Sequence, residues 1–218
     1  VVAQPQTPAH RDAALTALLA CPTGSIRTVT PPADIEAAHA RLPAPVDGAP
    51  GVFYCGYHSE KSYGAASYFV QRPNGGNVLV DSPRYTPRLA ERLHALGGVR
   101  YVFLTHRDDV ADAAKWAQNF GAQTVMHEAD ASSARLTPDV VLRGAGPWAL
   151  DGGDDVSLLH APGHTRGCVC MLHAPGGGTL FTGDHLAADE APPHALTAFR
   201  DYCWFDWQRQ LESVRALV

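Results

Sequence analysis

Leu104-Thr105-His106-Arg107-Asp108-Asp109-Val110-Ala111-Asp112-Ala113 is the stretch around which the rest of the chain can be read. An apolar run of strand length (Val99, Tyr101, Val102, Phe103, Leu104) stops abruptly at Thr105, and a histidine with three carboxylates follows before helix-forming residues begin. A strand that delivers its last residues into a His/Asp cluster reads as a metal-holding loop, because neutral imidazole and carboxylate are the usual nitrogen and oxygen ligands of zinc and iron. Two later segments repeat the arrangement. Pro162-Gly163-His164-Thr165-Arg166-Gly167 and Phe181-Thr182-Gly183-Asp184-His185 each follow an apolar run, so three strand ends offer ligands.

The elements around the first stretch predict its surroundings. Residues 87–96 place Leu89, Leu93 and Leu96 at helical spacing, with Thr86 as N-cap and Gly97 beyond the end. A second helix is expected over 112–120, stopped by Gly121, and a strand over 123–127. Strand, helix, strand, helix, strand describes the parallel half of a layered sheet, whose working loops lie at the carboxyl ends of the strands. Upstream, the runs 52–55, 67–72 and 77–81 read as strands, the last two joined through Pro73-Asn74-Gly75-Gly76 as a hairpin. Downstream, strands at 148–150 and 156–160 flank Asp151-Gly152-Gly153, and a hairpin over 168–182 turns at Pro175-Gly176-Gly177-Gly178.

Residues 1–50 have another texture. A helix over 12–20 ends at Cys21-Pro22, and five prolines between 30 and 50 surround a short helix at 35–41, which reads as a linker able to pack on the main domain. The division expected is 1–50 as an extension and 51–218 as that domain. Five cysteines (Cys21, Cys55, Cys168, Cys170, Cys203) without a Cys-x-x-Cys pair argue for a reducing compartment and against an iron–sulfur cluster, which needs closely spaced thiolates. The net charge of -5, with no basic patch, gives nucleic acid no purchase, and no apolar run is long enough for a membrane span. The start, Val1-Val2-Ala3-Gln4-Pro5, has neither an initiator Met nor a signal-peptide pattern and suggests a processed or trimmed chain.

In order and spacing, the Thr105-His106 loop, the Pro-Gly-His164-Thr-x-Gly segment and the Phe-Thr-Gly-Asp184 segment resemble the metallo-β-lactamase fold family. The resemblance implies an αββα four-layer sandwich, and the turn Asp81-Ser82-Pro83 resembles the family's Asp-containing turn after an early strand. It further implies that a His-x-His-x-Asp-His motif, a later His, an Asp and a final His bind two zinc or iron ions. Here His106 matches the first motif position, Asp108 stands where the second His belongs, and Val110 and Ala111 replace the Asp-His pair. With a two-residue insertion, Asp112-Ala113 takes that place instead, and the last His is again missing. His164 and Asp184 match; the final His has no counterpart, since the sequence ends on a helix (207–217) that precedes it in the family, as though truncated. The Ala20-Cys21-Pro22-Thr23-Gly24-Ser25-Ile26 run resembles the end of a ferredoxin motif. A ferredoxin-like remnant beside such a domain resembles plant, algal and cyanobacterial proteins, which implies the chloroplast or the cytoplasm.

The expected ligands are therefore His106, His164, Asp184 and one of Asp108, Asp109 or Asp112, with Asp112 preferred. They suffice for at most one Zn or Fe ion. Two functions are open. One is a weak metal-dependent hydrolase of a thioester or ester, with Asp108 or Asp112 taking the proton. The other is a catalytically silent module that binds a protein partner. Of the remaining residues, His58 is expected in a polar surface loop near the cleft, His185 as a spare ligand or a support behind the ligands, His127 as a strand end, and Trp116, Trp204, Phe205 and Trp207 as core or interface.

Overall fold

The computed structural model describes residues 4–73, 76–151, 153–189 and 195–217. Its larger sheet contains β1 (Ala44–Pro45), β2 (Val52–Tyr54), β3 (Tyr68–Val70), β4 (Val78–Val80), β5 (Tyr101–Phe103), β6 (Gln123–His127) and β7 (Val140–Leu142), side by side in chain order. Strands β1 to β4 are antiparallel and β4 to β7 parallel. The second sheet contains β8 (Trp148–Ala149), β9 (Val156–His160), β10 (Val169–His173) and β11 (Thr179–Phe181), antiparallel throughout. A small hairpin of β12 (Ala187–Ala188) and β13 (Leu196–Thr197) comes next.

Alternation along the central strands builds the layers, because successive side chains leave a strand on opposite faces. Val78, Val80, Tyr101, Phe103 and Val125 join Val156, Leu158, Val169, Met171 and Phe181 of the second sheet in one buried cluster. Their neighbours Leu79, Val102, Leu104 and Met126 point the other way, into a cluster with the helices. Those helices are α1 (Pro8–Ala20), α2 (Ile35–Ala40), α3 (Pro87–Ala95) and α4 (Ala113–Phe120). Each fully buried side chain in these layers contributes about 1.5–3 kcal/mol before chain entropy is subtracted. Further along the chain, α5 (Glu128–Ala131) caps the end of β6, and α6 (Trp207–Leu217) lies against the loop after β9. This is the αββα arrangement expected from the sequence.

The local signals act where they stand. Thr86 accepts the Leu89 N–H at the start of α3, and Gly121 ends α4 at φ 62°. Trp116, on the inner face of α4, is fully buried and donates its indole N–H to Pro83 O at 2.9 Å. The expected turn between β3 and β4 includes Asn74 and Gly75, and the one between β8 and β9 includes Gly152, all outside the described residues; the strands on either side pair as anticipated.

Packing is continuous across residue 50. Leu15, Leu19, Ala38 and Leu42 sit in the same cluster as Leu79, Leu104 and Trp116, and β1 extends the sheet from before that point. Leu42 lies so close to Gly56 that a Cβ there would stand 2.7 Å from its Cδ1. Cys55, Cys168 and Cys170 are buried in the body of the protein, far along the chain from Cys21 at the end of α1. Among the described residues no helix is long and apolar enough to cross a membrane.

Candidate metal centre

At the carboxyl end of β5, Thr105 and His106 turn inward, and both are completely buried. His106 Nε2 lies 3.9 Å from Asp108 Oδ2 and 3.7 Å from Asp184 Oδ2. From the loop between β9 and β10, His164 Nε2 reaches the same two oxygens at 4.0 and 3.9 Å. Neither Nε2 atom has a hydrogen-bond partner although both are buried. Two buried imidazole nitrogens without hydrogen-bond partners, flanked by two carboxylate oxygens, fit a divalent cation; a tetrahedral ion with bonds near 2.0–2.2 Å separates its ligands by roughly 3.4 Å. The donors need contract by only a few tenths of an ångström.

Both imidazoles are held toward the neutral form that ligation requires. Burial, with His164 and Arg107 adding to it, pushes His106 down to about 3, so it stays neutral. Burial also lowers His164, against the pull of Asp184 and Asp108. A hydroxyl fixes the tautomer of His106. Thr105 Oγ1 gives its proton to Asp81, whose oxygens lie at 3.0 and 3.1 Å, and accepts from His106 Nδ1 at 3.0 Å, leaving Nε2 as the lone pair. Asp81 also accepts the Thr105 N–H at 2.8 Å and holds a left-handed φ of 57° to do so. Burial, opposed by the Thr105 bonds and reinforced by Asp184, raises Asp81 to about 7.

Asp130, in α5, does the corresponding work for His164. Its buried carboxylate accepts Thr165 Oγ1 at 2.7 Å, the Gly167 N–H at 2.9 Å and the Arg107 N–H at 3.1 Å. One side chain thereby ties the His106 loop to the His164 loop. The fit accounts for two residues of the Pro-Gly-His-Thr-Arg-Gly segment: a Cβ on Gly167 would lie 2.7 Å from Asp130 Cγ, and one on Gly163 would lie 2.3 Å from Gln210 Cα in α6. Gly183, before Asp184, has φ 51° and passes Thr105 so closely that a Cβ would meet Oγ1 at 2.4 Å.

Of the residues singled out in the sequence, His106, Asp108, His164 and Asp184 come together, and Asp112 does not. Asp112 stands at the N-terminus of α4, where its carboxylate takes Lys61 Nζ at 2.9 Å and the Tyr85 N–H at 3.0 Å. Against burial, those two partners hold it below the usual carboxylate range. Between Asp109 and Asp112 the backbone passes through Ala111 at φ 32°, and Asp112, itself buried, bonds to Lys61 and Tyr85 and not to the histidines. Asp109 remains close, its Oδ2 3.8 Å from His106 Nδ1, but burial and the neighbouring Asp81 and Asp184 push its carboxyl well up toward the neutral form.

Other candidates have other employment. His58 is half-buried rather than in a surface loop, its Nε2 2.6 Å from Tyr54 Oη. His127 ends β6, bonding Gly144 O and stacking on His160. His185 is buried without a partner on either nitrogen. The cleft beside this cluster, about 560 Å³, is lined by Tyr63, Arg107, Phe199, Tyr202 and Trp204 together with Asp108, His164 and Asp184.

Residues 63–218 match the family model of the metallo-beta-lactamase superfamily. The chain belongs to that superfamily. Among curated relatives, a hydroxyacylglutathione hydrolase of Fuscovulum blasticum is 33% identical over 116 residues, 53% of this chain and 45% of its own. The chain thus spans about half the length of the curated relatives it matches. Two solved metallo-beta-lactamases share the superfamily fold. The Cronobacter sakazakii enzyme with a HARLDQ motif has a TM-score of 0.53 at 21% identity, covering 82% of this chain and 77% of that one. FEZ-1 of Legionella gormanii has a TM-score of 0.55 at 19% identity, covering 81% and 76%.

Proposed function

We propose that this superfamily member is a metal-dependent hydrolase that binds one Zn or Fe ion through His106, His164 and Asp184 and cleaves a thioester or ester. The observation that supports this reading is the pair of buried, unpartnered Nε2 atoms facing two carboxylate oxygens at 3.7–4.0 Å. When bound, the ion supplies Lewis acidity to the carbonyl and lowers the pKa of water. The chain supplies the rest. His106 and His164 stay neutral through burial and are oriented by Thr105 and by the loop that Asp130 holds. Asp108, with its carboxylate on the cleft, takes the proton of the attacking water and returns it to the leaving group. Hydroxyacylglutathione hydrolases among the relatives favour a thioester as the substrate class.

A silent module is the second reading, favoured by Ala111 and Ala113 at the His positions. Metal analysis of protein purified without chelator, beside Asp184→Ala and His164→Ala, separates the two. The hydrolase reading expects about one equivalent of Zn or Fe, lost in both variants together with thioester hydrolysis. Metal without turnover would leave the silent module standing, and protein without metal would overturn the metal site.

A further inference from the structure

Beside the ligands the chain exposes an unusual amount of aromatic surface. Phe199, Tyr202 and Trp204 are 46%, 62% and 57% exposed, and all three line the cleft, faced by Tyr63 at 88%. They form a ladder of edge-on rings: Phe199 on Tyr202 and Tyr202 on Trp204, each with centroids 6.4 Å apart, and Trp204 on His164 at 6.4 Å. The ladder is fixed to the ligand loop. Trp204 N–H donates to His164 O at 2.8 Å, Asp206 N–H to Gly163 O at 3.1 Å and Cys203 Sγ to the same oxygen at 3.1 Å. Large apolar side chains held rigidly in water cost stability, and where they cluster at a cleft they mark a binding surface.

We propose that this ladder is the acyl subsite of the hydrolase proposed above, selecting substrates whose acyl part is aromatic or similarly bulky and apolar. The inference rests on that reading and extends it to a substrate class. The orientation comes from charge: beyond Asp108 the aromatic cleft gives way to a second groove of about 350 Å³ lined by Lys61, Arg107 and Arg135. The leaving thiolate, which gains negative charge as its bond to the acyl carbon breaks, departs into that groove and takes there the proton that Asp108 drew from the attacking water. The carbonyl carbon lies over the ligand atoms, and the acyl chain, opposite the leaving group, runs along Trp204 and Tyr202. A flat aromatic group can lie against the exposed faces and edges of these rings, a contact area that a short acyl group lacks.

Two thioesters of one thiol, acetyl and phenylacetyl, test this on the full chain, with wild type beside Trp204→Ala and Tyr202→Ala; exposed side chains make both variants tolerable, and circular-dichroism melts check it. The expected kcat/KM ratio favours phenylacetyl by about tenfold or more in wild type and falls toward one in each variant. Calorimetric binding of phenylacetate, the product, gives a readout independent of turnover and is expected to weaken about tenfold in the variants. Hydrolysis with equal kcat/KM for both acyl groups would overturn the subsite and leave the hydrolase. Phenylacetate binding lost in the variants, with no thioester turned over, would keep the subsite and overturn the hydrolase. Phenylacetate binding as strong in the variants as in wild type would overturn the subsite whatever the rates.

Discussion

Thr105 and Asp130 matter beyond their size, because each sets the position of an imidazole it does not replace. Thr105→Val keeps the shape but removes the acceptor for His106 Nδ1, so the ring loses its tautomer and its orientation. Metal affinity should fall about 10–100-fold, read by competition with a chromophoric chelator. Asp130→Ala strands three donors in the interior. It should cost about 3 kcal/mol in urea unfolding, with loss of metal, while Asp130→Asn recovers part of both. Legibility divides along the same line. His106, His164 and Asp184 can be read from sequence because each comes within a few residues of the end of an apolar run. Asp130 cannot, because its partners lie 23 to 37 positions away and its only signal is its place just after a third parallel strand. Asp112 misled for a related reason: the lysine that claims it is 51 residues upstream.

At the level of elements, short strands with a turn signal beside them were legible, as β8 next to Asp151-Gly152-Gly153 was, whereas β1 and β7, equally short, were not. These two form because a neighbouring strand already offers its edge. Arg72, just beyond β3, joins elements across the core. Its side chain is fully buried, meets Asp155 at 2.6 and 2.7 Å and Asp151 at 3.3 Å, and so pins the first sheet to the start of β9. Arg72→Ala leaves Asp155 without its cation and Asp151 with Arg100 alone, and should destabilise the fold by about 3 kcal/mol, whereas Arg72→Lys, lacking the fork, recovers only part.

His173 in β10 is buried with neither nitrogen bonded, and Asp155 and Arg72 are the charges beside it. Burial sets its pKa below the ordinary 6.5, with Asp155 opposing. The unfolded chain therefore binds the proton first, and stability falls as pH drops below about 6.5. Urea midpoints at pH 7 and 5 should show that slope in wild type and less of it in His173→Leu, which at pH 7 should be as stable as wild type or more so.

On the scale of the molecule, the Pro-rich stretch read as a linker able to pack on the main domain is packed on it. Linker composition was legible, but the anchoring residues Ala38 and Leu42 are ordinary apolar residues whose partners lie in later elements. Removing residues 1–50 would bare the face of α3, α4 and the strands beneath, and the remainder should be insoluble or lose its cooperative thermal transition. The candidate ligands are divided between the layers: His106 and Asp108 come after a strand of the first sheet, while His164 and Asp184 come after strands of the second. An ion held by His106 from the one sheet and by His164 and Asp184 from the other would be a clasp between two halves of the protein. By mass action, free metal at a hundred times its dissociation constant would add about 2.7 kcal/mol against unfolding. The melting temperature then becomes a gauge of metal supply, rising and falling with the ion even where no substrate is present.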